Sequence, residues 1–261
     1  MTILDTIVKR KKIEVAEAKA KVTTEELQAY PLYSRTCYSL KESIQEHGTN
    51  GIIAEFKRAS PSKGLINGNV GVEEVVLGYQ QAGVSAVSVL TDADFFHGSL
   101  NDLLVARQTL SIPLLRKEFV VDAYQITEAK AYGADIILLI AACLSPQEVQ
   151  DFAAYAKSLG LNVLLEVHNL EELQQNLIDS VDAIGVNNRN LKDFSVDLQH
   201  SYDLVDKIPD NYIKVSESGI SDPKTITALK SAGFNGFLIG ENFMKTTNPP
   251  AAIEEFVASM G

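Results

Sequence analysis

The chain has 261 residues, 46% hydrophobic and 22% charged, the proportions of a globular protein with a large core. Its net charge of −11 leaves no basic field to release counterions, which argues against a nucleic-acid partner. The longest uninterrupted apolar run, Ile136 to Leu144, is nine residues, against the roughly 18–20 of a membrane helix. No membrane contact is therefore expected, and with no apolar stretch ahead of a cleavage site the setting reads as cytoplasmic.

From the N-terminus, Ile3, Leu4, Ile7, Val8 and Val15 suggest an amphipathic helix. "TTEE" at 23–26 and "SLKE" at 39–42 have the form of capping boxes for two more. No flexible linker separates them from Gly51, so residues 1–48 read as a helical extension packed on the rest of the chain. Eight short apolar runs then recur: GIIAEF, AVSVL, IPLLR, ADIILLI, NVLLEV, AIGV, YIKV and GFLIG. Each precedes a longer segment of helical spacing. Asp122, Ser145 and Asp222 stand as caps before three of these, with Pro146 and Pro223 at the first helical position.

Gly83, Gly133, Gly160 and Gly233 each sit just before the next apolar run, where a left-handed residue closes a helix. Their separations, 50, 27 and 73 residues, are near multiples of about 25, the length of a strand plus a helix. About eight such units predict an α/β fold, a (β/α)8 TIM barrel, with residues 1–261 as one domain and 1–48 as its extension. An open doubly wound sheet would carry GxGxxG after the first strand; this chain has KRASPSKG. Cys37 and Cys143 lie far apart and read as buried reduced thiols.

In such a barrel, chemistry sits where strands end and loops begin. In "IIAEFKRASPSKG", period two puts Ile53, Glu55 and Lys57 on one face, an odd composition for a core strand. Later strands end on Lys117, on Glu166, on Asn187 and Arg189, on Glu217, Ser218 and Gly219, and on Gly240 and Glu241. Unpaired buried charge is costly, so Glu55, Lys57, Lys117 and Glu166 are expected to meet as an acid–base set. Lysines kept in an acidic protein point to an anionic substrate. SESG and IGEN, after the seventh and eighth strands, point to a phosphate held by backbone N–H groups.

Arg58, Lys63, Arg116 and Lys214 read as solvated rim charges. Phe95, Phe96 and Phe119 are either loop anchors or an apolar wall for a flat ring. His47, His97, His168 and His200 show neither triad nor metal-ligand spacing, so no metal site is expected. His168, directly after a strand, reads as structural.

The motifs IIAEFKRASPSKG, LLRKEFVVD, GADIILLIAACL, LLEVHN, IGVNNRNL, VSESGI and LIGENFM, in this order, resemble those of the indole-3-glycerol phosphate synthase family. The resemblance also takes in the N-terminal helices. It implies a barrel enzyme of tryptophan biosynthesis that needs no cofactor. Its reaction is ring closure of 1-(2-carboxyphenylamino)-1-deoxyribulose 5-phosphate with loss of carbon dioxide and water. By resemblance Lys117 is the general acid at the ribulose carbonyl and Lys57 the second ammonium. Glu55 and Glu166 are the catalytic carboxylates, with the dehydration base open between them. Asn187 and Arg189 position polar groups of the substrate.

Pro61, Phe96, Phe119 and Leu191 fall on the anthranilate side, Ser60 and Glu217 join the substrate-binding set, and Ser218, Gly219, Gly240 and Glu241 fall at the phosphate. The partner implied is thus a small anionic phosphosugar carrying an anthranilate ring, and a monomer is expected. Departures are small: Glu118 stands where many relatives carry Asp, Glu241 where some carry Ser, and Ala59 where some carry a Lys. The last weakens phosphate binding unless Lys63 reaches in. Two rivals remain at this level. Phosphoribosylanthranilate isomerase would use a Cys and Asp pair and lacks the extension. A phosphosugar-binding barrel without turnover would leave the Glu55, Lys57, Lys117 and Glu166 set idle.

Overall fold

A computed structural model describes residues 2–45 and 49–260; His47 lies outside them. Among the described residues, eight parallel strands close a barrel: β1 Ile52–Phe56, β2 Ala86–Leu90, β3 Leu114–Lys117, β4 Ile136–Ile140, β5 Asn162–Val167, β6 Ala183–Asn187, β7 Ile213–Glu217 and β8 Gly236–Ile239. Between successive strands run α4 Val72–Gln81, α5 Leu100–Thr109, α6 Ala123–Ala131, α7 Pro146–Ser158, α8 Leu170–Gln175, α9 Gln199–Leu204 and α10 Pro223–Ala232. After β8 come α11 Glu241–Met244 and α12 Pro249–Ala258. The open-sheet alternative is excluded because β1 pairs with both β2 and β8. No helix among the described residues is long and apolar enough to cross a membrane.

The local signals act where the sequence puts them. Ser145 and Glu148 cap α7 reciprocally, and Asp222 caps α10 ahead of Pro223. Gly83, Gly133, Gly160 and Gly233 all have positive φ, the conformation in which glycine alone avoids a Cβ penalty.

The register fixes the heights of the strands. Glu55 pairs with Ser88, yet Lys117 pairs with Leu90, two residues further along β2. The same step recurs: Glu166 sits opposite Ile140 on one side and Gly185 on the other, and Glu217 opposite Asn187 and Leu238. Two residues at each of four steps give a total stagger of eight, the value of the (β/α)8 barrel. The inward residues then stack in layers of four from alternate strands. Ile53, Leu115, Leu164 and Val215 form one apolar layer, all buried in one cluster. Two residues further along the same strands, the layer is Glu55, Lys117, Glu166 and Glu217.

The extension clasps both ends. At the N-terminal end, Leu40 of α3 (Leu40–Gln45) joins the inner cluster, and its N–H donates to Asn162 Oδ1 at the start of β5. Nearby, fully buried Asp135 accepts from Arg35 at 2.6 Å, Arg107 at 2.7 Å and two backbone N–H groups. α2, Thr24–Gln28, is opened by the expected Thr23–Glu26 box and buries Leu27 beside Tyr124 and Ala131 of α6. α1, Ile3–Lys21, lies across the opposite end. Its buried stripe is Ile7, Lys11 and Val15. Lys11 Nζ reaches Asp92 Oδ2 at 2.8 Å and Glu118 Oε1 at 3.1 Å in the loops after β2 and β3.

Two sequence readings need correction. Arg116 is not a rim charge: it is buried, with Glu128 at 2.7 Å and Thr91 Oγ1 at 3.1 Å. It points outward from β3, and in this fold the outward strand face is covered by helices. The cysteines, both free, are half-buried rather than buried. Of the other three cations, Arg58 pairs in bidentate fashion with Asp102, Lys214 pairs with Asp210, and Lys63 extends over the barrel mouth.

Candidate active site

The charged layer is the floor of a cavity of about 160 Å³. Lys117 Nζ lies 2.7 Å from Glu217 Oε2 and 3.3 Å from Glu166 Oε2. Asn187 Nδ2 donates to Glu166 Oε1 at 2.9 Å. Lys57 Nζ lies 2.7 Å from Glu55 Oε1. The set expected from sequence is therefore gathered in one place, and Glu217, foreseen only as a binding residue, is the nearest partner of Lys117.

Two glycines make room for this layer. A Cβ on Gly185 would stand 2.1 Å from Glu217 Oε1, and one on Gly240 would stand 2.6 Å from Glu55 Oε1. Gly240 thus has a steric role beside any at a phosphate. Asn188, unremarked in the sequence, is fully buried and donates to the carbonyls of Glu217 and Ser218, pinning the end of β7.

The electrostatics separate the carboxylates. Burial works against the charge of Lys117, but Glu217, Glu166 and Glu55 outweigh it and hold the ammonium above the usual lysine range. Burial likewise opposes ionisation of Glu166. Lys117, His168 and Asn187 outweigh it and hold Glu166 well below the carboxylate range. For Glu217 burial wins: with Glu166 and Glu55 adding to it, it overcomes Lys117 and pushes Glu217 up to about 7. Pairing with Lys117 thus leaves Lys117 charged without keeping Glu217 low. Glu55 has Lys57 as its own partner while Glu166 and Glu217 share Lys117, and of these two Glu217 is the one whose charge burial defeats.

The walls are apolar. Phe96 and Phe119 pack with ring centroids 6.0 Å apart and line the cavity with Pro61, Ser60 and Leu191. Leu90, Ile140 and Leu238 also line it, as do Ile3, Leu4 and Ile7 of α1. The strand residues share the inward phase of the charged ones, a signal the sequence carried. The α1 residues were legible as an apolar stripe but not as a roof.

A second, more polar cavity adjoins, lined by Ser218, Gly219, Gly240, Glu241, Lys63, Arg189 and Lys245 among others. Ser218 and Gly219 both have positive φ, a turn that costs about 1 kcal/mol or more at the serine. Glu241 stands between Lys63 at 3.6 Å and Arg189 at 3.7 Å. Ala59 is buried and pairs with Leu65 in a two-stranded ribbon after β1, and the cations of this segment that reach the cavity are Lys57 and Lys63.

The family model for indole-3-glycerol phosphate synthase matches residues 4–256. The chain belongs to the indole-3-glycerol phosphate synthase family. An indole-3-glycerol phosphate synthase of Bacteroides thetaiotaomicron is 45% identical over 258 residues, covering 99% of this chain and 98% of its own. One from Burkholderia ambifaria is 43% identical over 95% of each chain. The fold is also similar to a chain of the tryptophan synthase a2b2 complex from Pyrococcus furiosus, with a TM-score of 0.59 and 16% identity over 80% of this chain and 97% of that one.

As an indole-3-glycerol phosphate synthase, the protein is a carboxy-lyase of tryptophan biosynthesis. The isomerase and the turnover-free barrel are thereby set aside. The chemistry of the rival's cysteine base is also poorly served here. Cys143 lies in a turn just after β4, and burial, with Glu166 and Glu172, pushes its thiol up to about 12.

Proposed function

We propose that the charged layer carries out the three parts of the synthase reaction by acid–base chemistry on 1-(2-carboxyphenylamino)-1-deoxyribulose 5-phosphate. The observation that carries this reading is Lys117, held charged among Glu217, Glu166 and Glu55 on the floor of an apolar cavity. Such a lysine remains a proton donor at neutral pH. Lys117 gives its proton to the ribulose carbonyl oxygen as the ring carbon bearing the carboxylate attacks the carbonyl carbon. Carbon dioxide then leaves, returning its bonding electrons to the ring system. Loss of the new hydroxyl as water, with removal of a proton, completes the indole.

In this reading Lys57 contacts the substrate carboxylate or supplies the proton to the departing hydroxyl, and Glu166 or Glu55 takes the ring proton. Asn187 fixes Glu166, and Arg189, whose N–H donates to Asn187 Oδ1 at 3.0 Å, orients the substrate's polar groups with Ser60 and Glu217. The anthranilate ring rests against Pro61, Phe96, Phe119 and Leu191. The phosphate occupies the second cavity, held by the loops at Ser218, Gly219, Gly240 and Glu241, with Lys63 offsetting the Glu241 charge. We place the protein in the cytoplasm as a monomer.

The test is product fluorescence with the purified protein in a chelating buffer; with no Trp in the chain, background is low. Lys117→Ala is expected to lower kcat at least ~100-fold, the scale of a lost general acid, with an unchanged circular dichroism spectrum. A kcat near that of the wild type would remove Lys117 from the chemistry.

A further inference from the structure

His168 follows β5 and is two residues beyond Glu166 on the inward phase. Its ring is mostly buried and bridges two carboxylates. Nδ1 lies 3.2 Å from Glu172 Oε2, and Nε2 lies 3.3 Å from Glu166 Oε1. Glu172 is itself fixed. Its Oε2 accepts from the His168 N–H at 2.8 Å and its Oε1 from Asn169 Nδ2 at 2.7 Å, while Asn169 caps α8 by accepting from the Glu172 N–H. Nε2 meets no hydrogen-bond acceptor in line. The ring faces the Glu166 carboxylate, which already accepts from Asn187 on the same oxygen. A carboxylate that fixes one imidazole nitrogen so that the other is presented to a reacting group is the arrangement that orients catalytic histidines.

We propose that His168 is a positioning residue for Glu166: clamped by Glu172, its ring holds the Glu166 carboxylate in place and keeps it ionised for catalysis. The inference rests on the reading of Glu166 as a catalytic carboxylate. Burial opposes a charge on His168, but the contacts with Glu166 and Glu172 outweigh it and raise the imidazole to about 10, consistent with a cation at neutral pH. The other titratable groups around it are Cys143 after β4, Lys117 beyond Glu166, and Arg189, Lys192 and His200, which share a side cavity with it. Among the described residues the ion-pair partners of the ring are Glu166 and Glu172, so the two glutamates govern its charge.

The experiment is the pH dependence of kcat and KM from pH 3.5 to 9 for the wild type, His168→Gln and Glu172→Gln, with imidazole nitrogen NMR on the wild type. Expected for His168→Gln is an acid limb of kcat moved up by about one pH unit, a loss that grows towards the acid end of the range and stays below threefold at pH 8.5, and KM within twofold. Glu172→Gln moves the limb the same way by less. The His168 ring is doubly protonated at pH 7.5. A uniform loss at every pH would reduce His168 to packing, and a raised KM with unchanged kcat would make it a substrate contact; either overturns the inference, as does a neutral ring at pH 7.5. Glu166→Gln separates the two levels. If that variant keeps kcat within tenfold, the reading of Glu166 fails. If it is inactive and the His168→Gln limb is unmoved, only the His168 inference fails. Should His168→Gln not fold, the Glu172→Gln profile and the NMR state still decide.

Discussion

Replacing Glu217 by Gln tests whether the charged layer stores unfavourable energy. Glu217 is 1% exposed and stands at about 7, against 4.5 for an ordinary glutamate. A raised carboxylate binds its proton more tightly in the folded state. Its contribution to stability is full below about 4.5 and is lost as pH rises through about 7. At about 1.4 kcal/mol per unit, ionised Glu217 costs the fold about 3 kcal/mol at pH 8. The amide removes that cost and still accepts from Lys117. Its NH2 replaces Oε1, which has no partner, and an unmet donor costs about 1–2 kcal/mol.

The net expectation is a variant about 1–2 kcal/mol more stable than the wild type at pH 8 and about as much less stable near pH 4.5. Calorimetric melting at both pH values reads this as a change of sign, at about 2–4 °C per kcal/mol. Activity falls, since Lys117 loses its closest carboxylate. A stability difference that is the same at both pH values would refute the reasoning, because it would mean that Glu217 does not titrate in the folded state.

Gly185→Ala drives a methyl group into Glu217 Oε1 and should push that carboxylate off Lys117. A drop in kcat of ~10-fold or more is expected with ~1–3 kcal/mol of destabilisation, measured by turnover and melting together. Asp135→Ala removes the shared acceptor of Arg35 and Arg107 at the N-terminal end, far from the cavity. It should cost ~3–5 kcal/mol, seen in urea denaturation, with kcat of the folded fraction unchanged. Inorganic phosphate should raise the melting temperature, by ~2.7 kcal/mol of stabilisation at 100 times its dissociation constant. Gly219→Ala should abolish that effect, since Gly219 has φ +83° and a Cβ there would stand 2.6 Å from Val196.

Much of this architecture was legible in the chain. Apolar runs of strand length, caps such as Ser145 and stop glycines such as Gly133 are local signals, because they depend on dihedral preferences and on hydrogen bonds a few residues apart. They fixed the number of units, and period-two parity put Glu55 and Lys57 on the face of Ile53, Lys117 on that of Leu115 and Glu166 on that of Leu164, while the inward direction of those faces came from barrel closure. The depth of each strand in the barrel could not be read. A parallel ladder repeats every two residues, so parity is preserved when a strand slides by two, and only closure of the barrel with its stagger of eight brings Glu55, Lys117, Glu166 and Glu217 to one height.

For the same reason only the folded structure decided that Glu217 is the partner of Lys117, that Gly185 and Gly240 clear space for carboxylates, and that Arg116 is buried. Lys11 lies in the buried stripe of α1 because the loops after β2 and β3 bring Asp92 and Glu118 to it. Sequence sets what a segment can be and which way its side chains face. Long-range closure sets which charges share a dielectric boundary, and the pKa values that divide Glu166 from Glu217 exist only there.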